Sequence, residues 1–316
     1  NIRKRRRSLW TLDFGHFQRR SKSRPLQRLS MPIAGISQGL GIGGGTSATS
    51  SGAPGGGGFS NALSLSYDTG TGANTDSMAF DGTANTGIAR FTMSCWVNHS
   101  ATQDAVIFGV FGSSIQEGPF IYGFGGTAYY FYCSPGGTYA KFNGGGPQLL
   151  NQWVHLVAVN NNGAGKFYIN GVLRGEKASG LAINLNSAWK NGAIGGTPLY
   201  SSYSGLLDEP SIFDVALTDG GVSVGDTATG EIATLYNGGV PGDISDLRGD
   251  GTLIPTYWYR NGDDAGDETP TGGTPASGES AAILSNLGSF NKGLPAGDAT
   301  QGAATPRPTF SSSVPS

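Results

Sequence analysis

The chain has 316 residues, 54 of them glycine, with 37% hydrophobic and 13% charged side chains. No apolar run approaches the ~20 residues of a membrane helix, and two cysteines are too few for a disulfide scaffold. The net charge of −2 hides a split: in residues 1–30 ten cations face one carboxylate, leaving +9, and beyond them ten cations face twenty-one carboxylates, leaving −11. Such asymmetry predicts a terminal segment with its own partner.

Residues 1–30 carry Arg3, Arg5, Arg6, Arg7, Arg19 and Arg20, with Trp10, Phe14 and Phe17 interleaved. The stretch lacks the apolar centre of a secretory signal, so it reads as a basic arm. Charge beside apolar anchors suits docking on an acidic protein surface. Contact with nucleic acid is the alternative that the same charge allows. Ordering such an arm costs roughly 1–2 kcal/mol per residue, so wide partner contact and a homo-oligomer are expected. Residues 31–59 read as a Gly/Ser-rich linker closing on Gly55-Gly56-Gly57-Gly58, a composition that cannot build a core. Gly41-Ile42-Gly43-Gly44-Gly45 lacks the Lys and following helix of a phosphate-binding loop.

Residues 60–260 read as the folded domain. Short runs of β-formers recur at 63–67, 77–80, 91–98, 106–111, 120–124, 128–133, 139–142, 153–160, 166–169, 172–176, 193–194, 204–207 and 209–213. Many short strands with turn residues between them predict an all-β, two-sheet antiparallel sandwich. Phe91, Met93, Cys95 and Val97 alternate with Thr92, Ser94, Trp96 and Asn98, the pattern of a half-buried strand. Asn162-Gly163 marks a turn, and Asn170-Gly171 a type I′ hairpin, which needs positive φ at both positions. A single short helix is expected at 231–236, stopped by Asn237-Gly238-Gly239. Residues 261–316, rich in Gly, Ala, Ser, Thr and Pro, read as a low-complexity, irregular C-terminal segment.

Residues able to do chemistry are sparse. A sandwich glycosidase sets two carboxylates at alternate positions of one strand, and no Glu-x-Asp-x-Glu-like run occurs. His16 lies in the arm, and His99 sits just past a strand with no ligand-spaced Cys or carboxylate. Asp208-Glu209 reads as a buried pair accepting hydrogen bonds. Calcium takes loop carboxylates and carbonyls. Its weak candidates are Asp76, Asp81, Asp104 and Asp208, which do not make a complete ligand set. No other cofactor is expected. Tyr122, Tyr129, Tyr130 and Tyr132 form the candidate ligand surface, because four consecutive aromatics at 129–132 must point to both faces of a strand. Cys95 and Cys133 read as buried thiols, with a cross-strand disulfide as the alternative.

Four stretches resemble the laminin-G-like, concanavalin A-type jelly roll. Residues 89–97 (ARFTMSCWV) are similar to its early Phe-Thr-hydrophobic-Ser-x-Trp-Val strand. Residues 152–171 are similar to its Trp-x-His-hydrophobic strand and Tyr-hydrophobic-Asn-Gly hairpin. Residues 203–217 (YSGLLDEPSIFDVAL) are similar to its Gly-x-hydrophobic-Asp-Glu strand, and 232–238 (IATLYNG) to its Leu-Tyr-Asn-Gly end. The resemblance implies a jelly-roll sandwich, a packing role for His155, and, as in several such domains, calcium or glycan binding. The chain departs from the pattern by inserting a Gly/Thr/Asp-rich loop at 218–230. Met31-Pro32-Ile33, Trp258-Tyr259-Arg260-Asn261-Gly262-Asp263 and residues 310–315 resemble structural proteins of tailed bacteriophages that carry this module.

These signs imply a non-enzymatic virion structural protein: a capsid-decoration, head-fibre or tail-associated subunit, made in the host cytoplasm. Its arm would hold capsid or tail subunits, and its sandwich would be displayed. The alternative is a secreted or surface carbohydrate-binding, lectin-like module, dependent on calcium.

Overall fold

The computed structural model describes residues 63–67, 76–85, 88–112, 117–125, 128–135, 141–181, 191–196, 203–290, 298–301 and 307–316. All belong to the second of two units, Gly52–Ser316. Alternation at 90–98 builds strand β3 (Arg90–Asn98), the centre of the first sheet. That sheet runs β10 (Val172–Lys177), β9 (Ala164–Ile169), β8 (Val154–Asn161), β3, β12 (Gly205–Phe213), β1 (Ser64–Tyr67), β16 (Thr309–Ser311), with β13 (Tyr257–Trp258) also on β12. The second sheet runs β14 (Ile283–Leu284), β15 (Ala299–Thr300), β2 (Met78–Asp81), β11 (Asn191–Ile194), β4 (Ala105–Phe111), β5 (Glu117–Phe124), β6 (Ala128–Pro135), β7 (Lys141–Asn143). The expected antiparallel two-sheet sandwich is present.

Between the sheets lies an apolar core that includes Met93, Cys95, Ile107, Phe108, Ile121, Phe131, Leu156 and Phe167. Both cysteines are buried free thiols, and the Asn160 side-chain amide donates to Cys133 Sγ at 3.5 Å. The turns follow the sequence chemistry: φ is positive at Asn162, Gly163, Asn170 and Gly171. Gly171 is required twice, because a Cβ there would also meet the Tyr236 ring at 2.7 Å.

The runs expected at 204–207 and 209–213 are one strand, β12. Its pairing with β3 skips between Asp208 and Ser211, a bulge. Glu209 holds φ 49 there, a left-handed conformation that a non-glycine side chain disfavours. The short helix α1 (Gly230–Tyr236) ends at Asn237 in the left-handed conformation, its N–H bonded to Ala233 O. α1 buries Ile232 and Leu235 on the outer face of the first sheet, in a second cluster with Val157, Tyr168, Phe213 and Trp258.

The inserted loop has a structural task. Leu173 N–H donates to Asp226 O at 3.0 Å, Gly225 N–H to Leu173 O at 2.8 Å and Ala228 N–H to Gly171 O at 2.8 Å. The loop thus runs along β10, covering a sheet edge that would otherwise show unpaired backbone groups. Residues 261–316 are largely irregular, as expected, but they are no detached tail. Their described residues supply β14, β15 and β16, and bury Leu284, Ala299 and Phe310 in the inter-sheet core. Strands of two or three residues leave no periodic signature, which is why the sequence did not show them.

Candidate functional site

The outer face of the second sheet gathers the aromatic stretch. Phe120, Tyr132 and Lys141 are consecutive cross-strand partners on β5, β6 and β7, and Tyr122, Tyr130 and Asn143 form the next row. Directly opposed side chains on one face of a sheet touch, so the rings pack. Phe120 and Tyr132 stack with centroids 4.6 Å apart, Tyr122 meets Tyr132 edge-on at 5.4 Å, and Phe124 meets Tyr130 at 5.2 Å. Phe111 adds to the patch 5.3 Å from Phe120.

This patch opens at one end. Phe120, Tyr122 and Tyr132 are buried, whereas Phe124 is 37% exposed and Tyr130 is half-buried. Lys141 stands exposed beside them, its Nζ 4.8 Å from the Phe124 centroid, 5.3 Å from Tyr130 and 5.4 Å from Tyr132. It also donates to Tyr132 Oη at 3.3 Å. An ammonium over ring faces is held electrostatically. The opening therefore offers ring surface, a tyrosine and a fixed cation.

Of the four tyrosines expected at a ligand surface, Tyr122, Tyr130 and Tyr132 share this face and Tyr129 does not. Tyr129 points between the sheets, where its hydroxyl lies 3.1 Å from His99 Nε2. Strand alternation places 129 and 131 inward and 130 and 132 outward. Tyr122 and Tyr132 are covered rather than open, so the accessible ring surface shifts to Phe124 and Tyr130. Lys141 was not foreseen. Its register opposite Tyr132, which sequence spacing does not encode, brings it to the rings.

The outer face of the first sheet holds a buried polar chamber. Ser94 Oγ lies 2.7 Å from His155 Nε2, and His155 stacks on Trp96 with centroids 4.6 Å apart. Burial pushes His155 down to about 3, so it is neutral. His155, Ser94, Glu209 and Ser211 line a cavity of about 10 Å³ below Leu235 and Ile244, room for about one water molecule. Ser211 Oγ and His155 Nδ1 have no hydrogen-bond partner among the described residues. A Ser–His contact resembles a nucleophile and its base, but a working dyad needs an orienting group on the second ring nitrogen and room for substrate. Among the described residues neither is present, and His155 packs and hydrogen-bonds as the family resemblance implied.

Glu209 closes this chamber. Trp258 Nε1–H donates to Glu209 Oε2, and Arg260 Nε–H reaches Oε1 at 3.4 Å. Burial pushes Glu209 up to about 7 against the pull of Arg260 and Trp258. Its neighbour Asp208 is fully buried, accepts the Glu209 N–H at 2.9 Å, and is raised by burial and by Glu209. The pair is structural in its bonding, tying β12 to the segment around β13.

A groove of about 500 Å³ lies where the inserted loop meets β9 and β10, lined by Val159, Lys166, Lys177, Leu217 and Asp219 among others. Asp219 organises its wall. Oδ2 accepts from Lys166 Nζ at 2.6 Å and from the Tyr168 hydroxyl at 2.8 Å, and Oδ1 from Gly221 N–H at 2.9 Å. Burial opposes ionisation of Asp219, but these donors hold its carboxyl below the ordinary value.

Among the described residues, no three Asp, Glu, His or Cys side chains come together as a metal set. Asp76 and Asp208 are buried, Asp104 is exposed, and Asp81 Oδ1 accepts Thr83 N–H at 2.9 Å. Arg3, Arg5, Arg6, Arg7, Trp10, Phe14, Phe17, Arg19 and Arg20 lie outside the described residues. So does Gly35-Ile36-Ser37-Gln38-Gly39, which has Gly-x-Ser-x-Gly spacing.

A search of curated proteins gave no match. Among solved structures, a native heptameric SAP-like pentraxin from Limulus polyphemus is 16% identical, covering 56% of this chain and 82% of its own, with a TM-score of 0.42. Domain 4 of a GH43 extracellular arabinanase from Geobacillus stearothermophilus, in complex with arabinotriose, is 22% identical, covering 49% and 77%, with a TM-score of 0.37. Domains LG4-5 of the mouse laminin α1 chain are 13% identical, covering 52% and 44%, with a TM-score of 0.37. Residues 71–223 match the family model described as the concanavalin A-like lectin/glucanases superfamily.

Proposed function

We propose that the chain is a non-catalytic binding module whose second sheet takes a carbohydrate at the open end of its aromatic patch. The observation that carries this reading is the exposed edge formed by Phe124, Tyr130 and Lys141. A pyranose has an apolar C–H face and a rim of hydroxyls. Exposed ring surface meets the first, and a tyrosine hydroxyl and a lysine meet the second. The family description joins lectins with glucanases, and the lectin side fits better, because the described carboxylate pair is buried beneath Trp258 and Arg260. The test is a glycan array and calorimetry on the full chain and on a Phe124→Ala/Tyr130→Ala variant. Wild type should bind a subset of glycans, and the variant should lose at least about tenfold in affinity, the scale of one stacked ring. Equal binding by both proteins would remove the patch from the mechanism.

The charge split supports a place for the module as well. Residues 1–30 are cationic with three aromatic anchors, while the remainder is acidic. In this reading the arm fixes the chain to capsid or tail proteins of a tailed phage, and the sandwich faces outward. Deleting residues 1–58 should abolish association with particles and leave the unfolding midpoint of the sandwich unchanged. Association that survives the deletion would end the anchoring role.

A further inference from the structure

Lys141 is the sole Lys or Arg in the described strands of the second sheet. Its ammonium sits over three ring faces and one tyrosine hydroxyl. No carboxylate pairs with it among the described residues, as with Arg90, Arg174, Lys177 and Arg307 and unlike Lys166, Arg248 and Arg260, but Lys141 alone of these sits over a cluster of rings. Rings attract a cation without neutralising it, so this charge is positioned and, among the described residues, uncompensated. Lys141 also lies at the exposed end of the patch, next to Phe124, where a bound sugar ring would rest.

We infer that the ligand of this site is an acidic saccharide, a pyranose bearing a carboxylate or sulfate that pairs with Lys141 while its C–H face lies on Phe124 and Tyr130. This rests on the carbohydrate reading above and narrows it. An anionic oxygen meeting a lysine ammonium makes a charge-assisted hydrogen bond, stronger than one between neutral groups. Partial exclusion of water by the neighbouring rings strengthens it further. A neutral sugar would offer the cation only hydroxyl oxygens, weaker acceptors than an anionic oxygen.

The test uses the full chain on an array in which each uronate, sialylated or sulfated oligosaccharide stands beside its methyl-esterified or desulfated counterpart. Wild type should prefer the acidic member of a pair by about tenfold or more, the scale expected of a hydrogen bond to a charged group. Raising the salt concentration should narrow that gap. Lys141→Met should abolish the preference and keep binding to the neutral counterpart, and Lys141→Arg should retain it. Tyr130→Ala should weaken both members. Uronate or sialylated pairs that respond alone identify a carboxylate, and sulfated pairs that respond alone identify a sulfate; either outcome supports the inference. Binding to neutral glycans alone, or an acid preference unchanged in Lys141→Met, overturns it and leaves the carbohydrate reading standing. The second result would place the anion elsewhere on the chain, the arm included. Folded wild type that binds no glycan overturns both.

Discussion

On the outer face of the first sheet, α1, the inserted loop and the segment around β13 bury Val157, Tyr168, Phe213 and Trp258, and cover a polar chamber. On the outer face of the second sheet, the aromatic rows of β5, β6 and β7 end in exposed Phe124 and Lys141. Both faces carry large rings at alternate strand positions. One is sealed by elements that come later in the chain, and the other has an edge open to solvent. The sealed face therefore contributes stability, and the open edge is the surface we propose for recognition.

That contrast is sharpened most by Trp258→Ala. Truncating a buried Trp costs about 3–5 kcal/mol, and here it also removes a donor from the Glu209 carboxylate. Urea unfolding should show a loss at the upper end of that range. Glu209→Gln comes next, and it should act through pH. The folded value of Glu209 stands near 7, above its ordinary 4.5. Its contribution is thus complete below pH 4.5 and is lost as pH rises toward 7. The stability of the glutamine variant minus that of wild type should grow through this window by about 1.4 kcal/mol per pH unit at most. A flat difference would mean that the buried carboxyl does not titrate there.

Asp219→Ala should cost about 2 kcal/mol, since it strips Lys166 Nζ and the Tyr168 hydroxyl of their acceptor. Hydrogen exchange should quicken at the Leu173 and Ala228 amides, which hold the inserted loop to β10. Lys141→Met should have the smallest effect on stability, within about 0.5 kcal/mol, as an exposed surface change does. A larger loss on unfolding would make Lys141 a structural residue and blunt the contrast between the two faces.

Much of the sandwich was legible in the sequence because it rests on local chemistry. The 90–98 alternation and the Asn-Gly turns each specify their own geometry. The candidate site was half legible. A run of aromatics announces that some must face outward, but which ones remain open depends on neighbours far away in the chain. The bulge at Asp208–Ser211 carried no sequence signal either, since Asp-Glu-Pro-Ser reads equally as a break between two strands. The strands of the C-terminal segment are set by partners, β16 by β1 and β15 by β2, rather than by any pattern of their own.

The pairing of β1 with β16 has a mechanical consequence. Ser64 faces Ser311, Leu65 faces Phe310 and Ser66 faces Thr309 in antiparallel register. Tension applied between Leu63 and Ser312 would load the Ser64–Ser311 rung first and then each rung in turn, as in a zipper. Peeling of this kind yields at low force, so such a pull would part β16 from β1 rung by rung while the bonds from β16 to residues 278–281 on its other side still held.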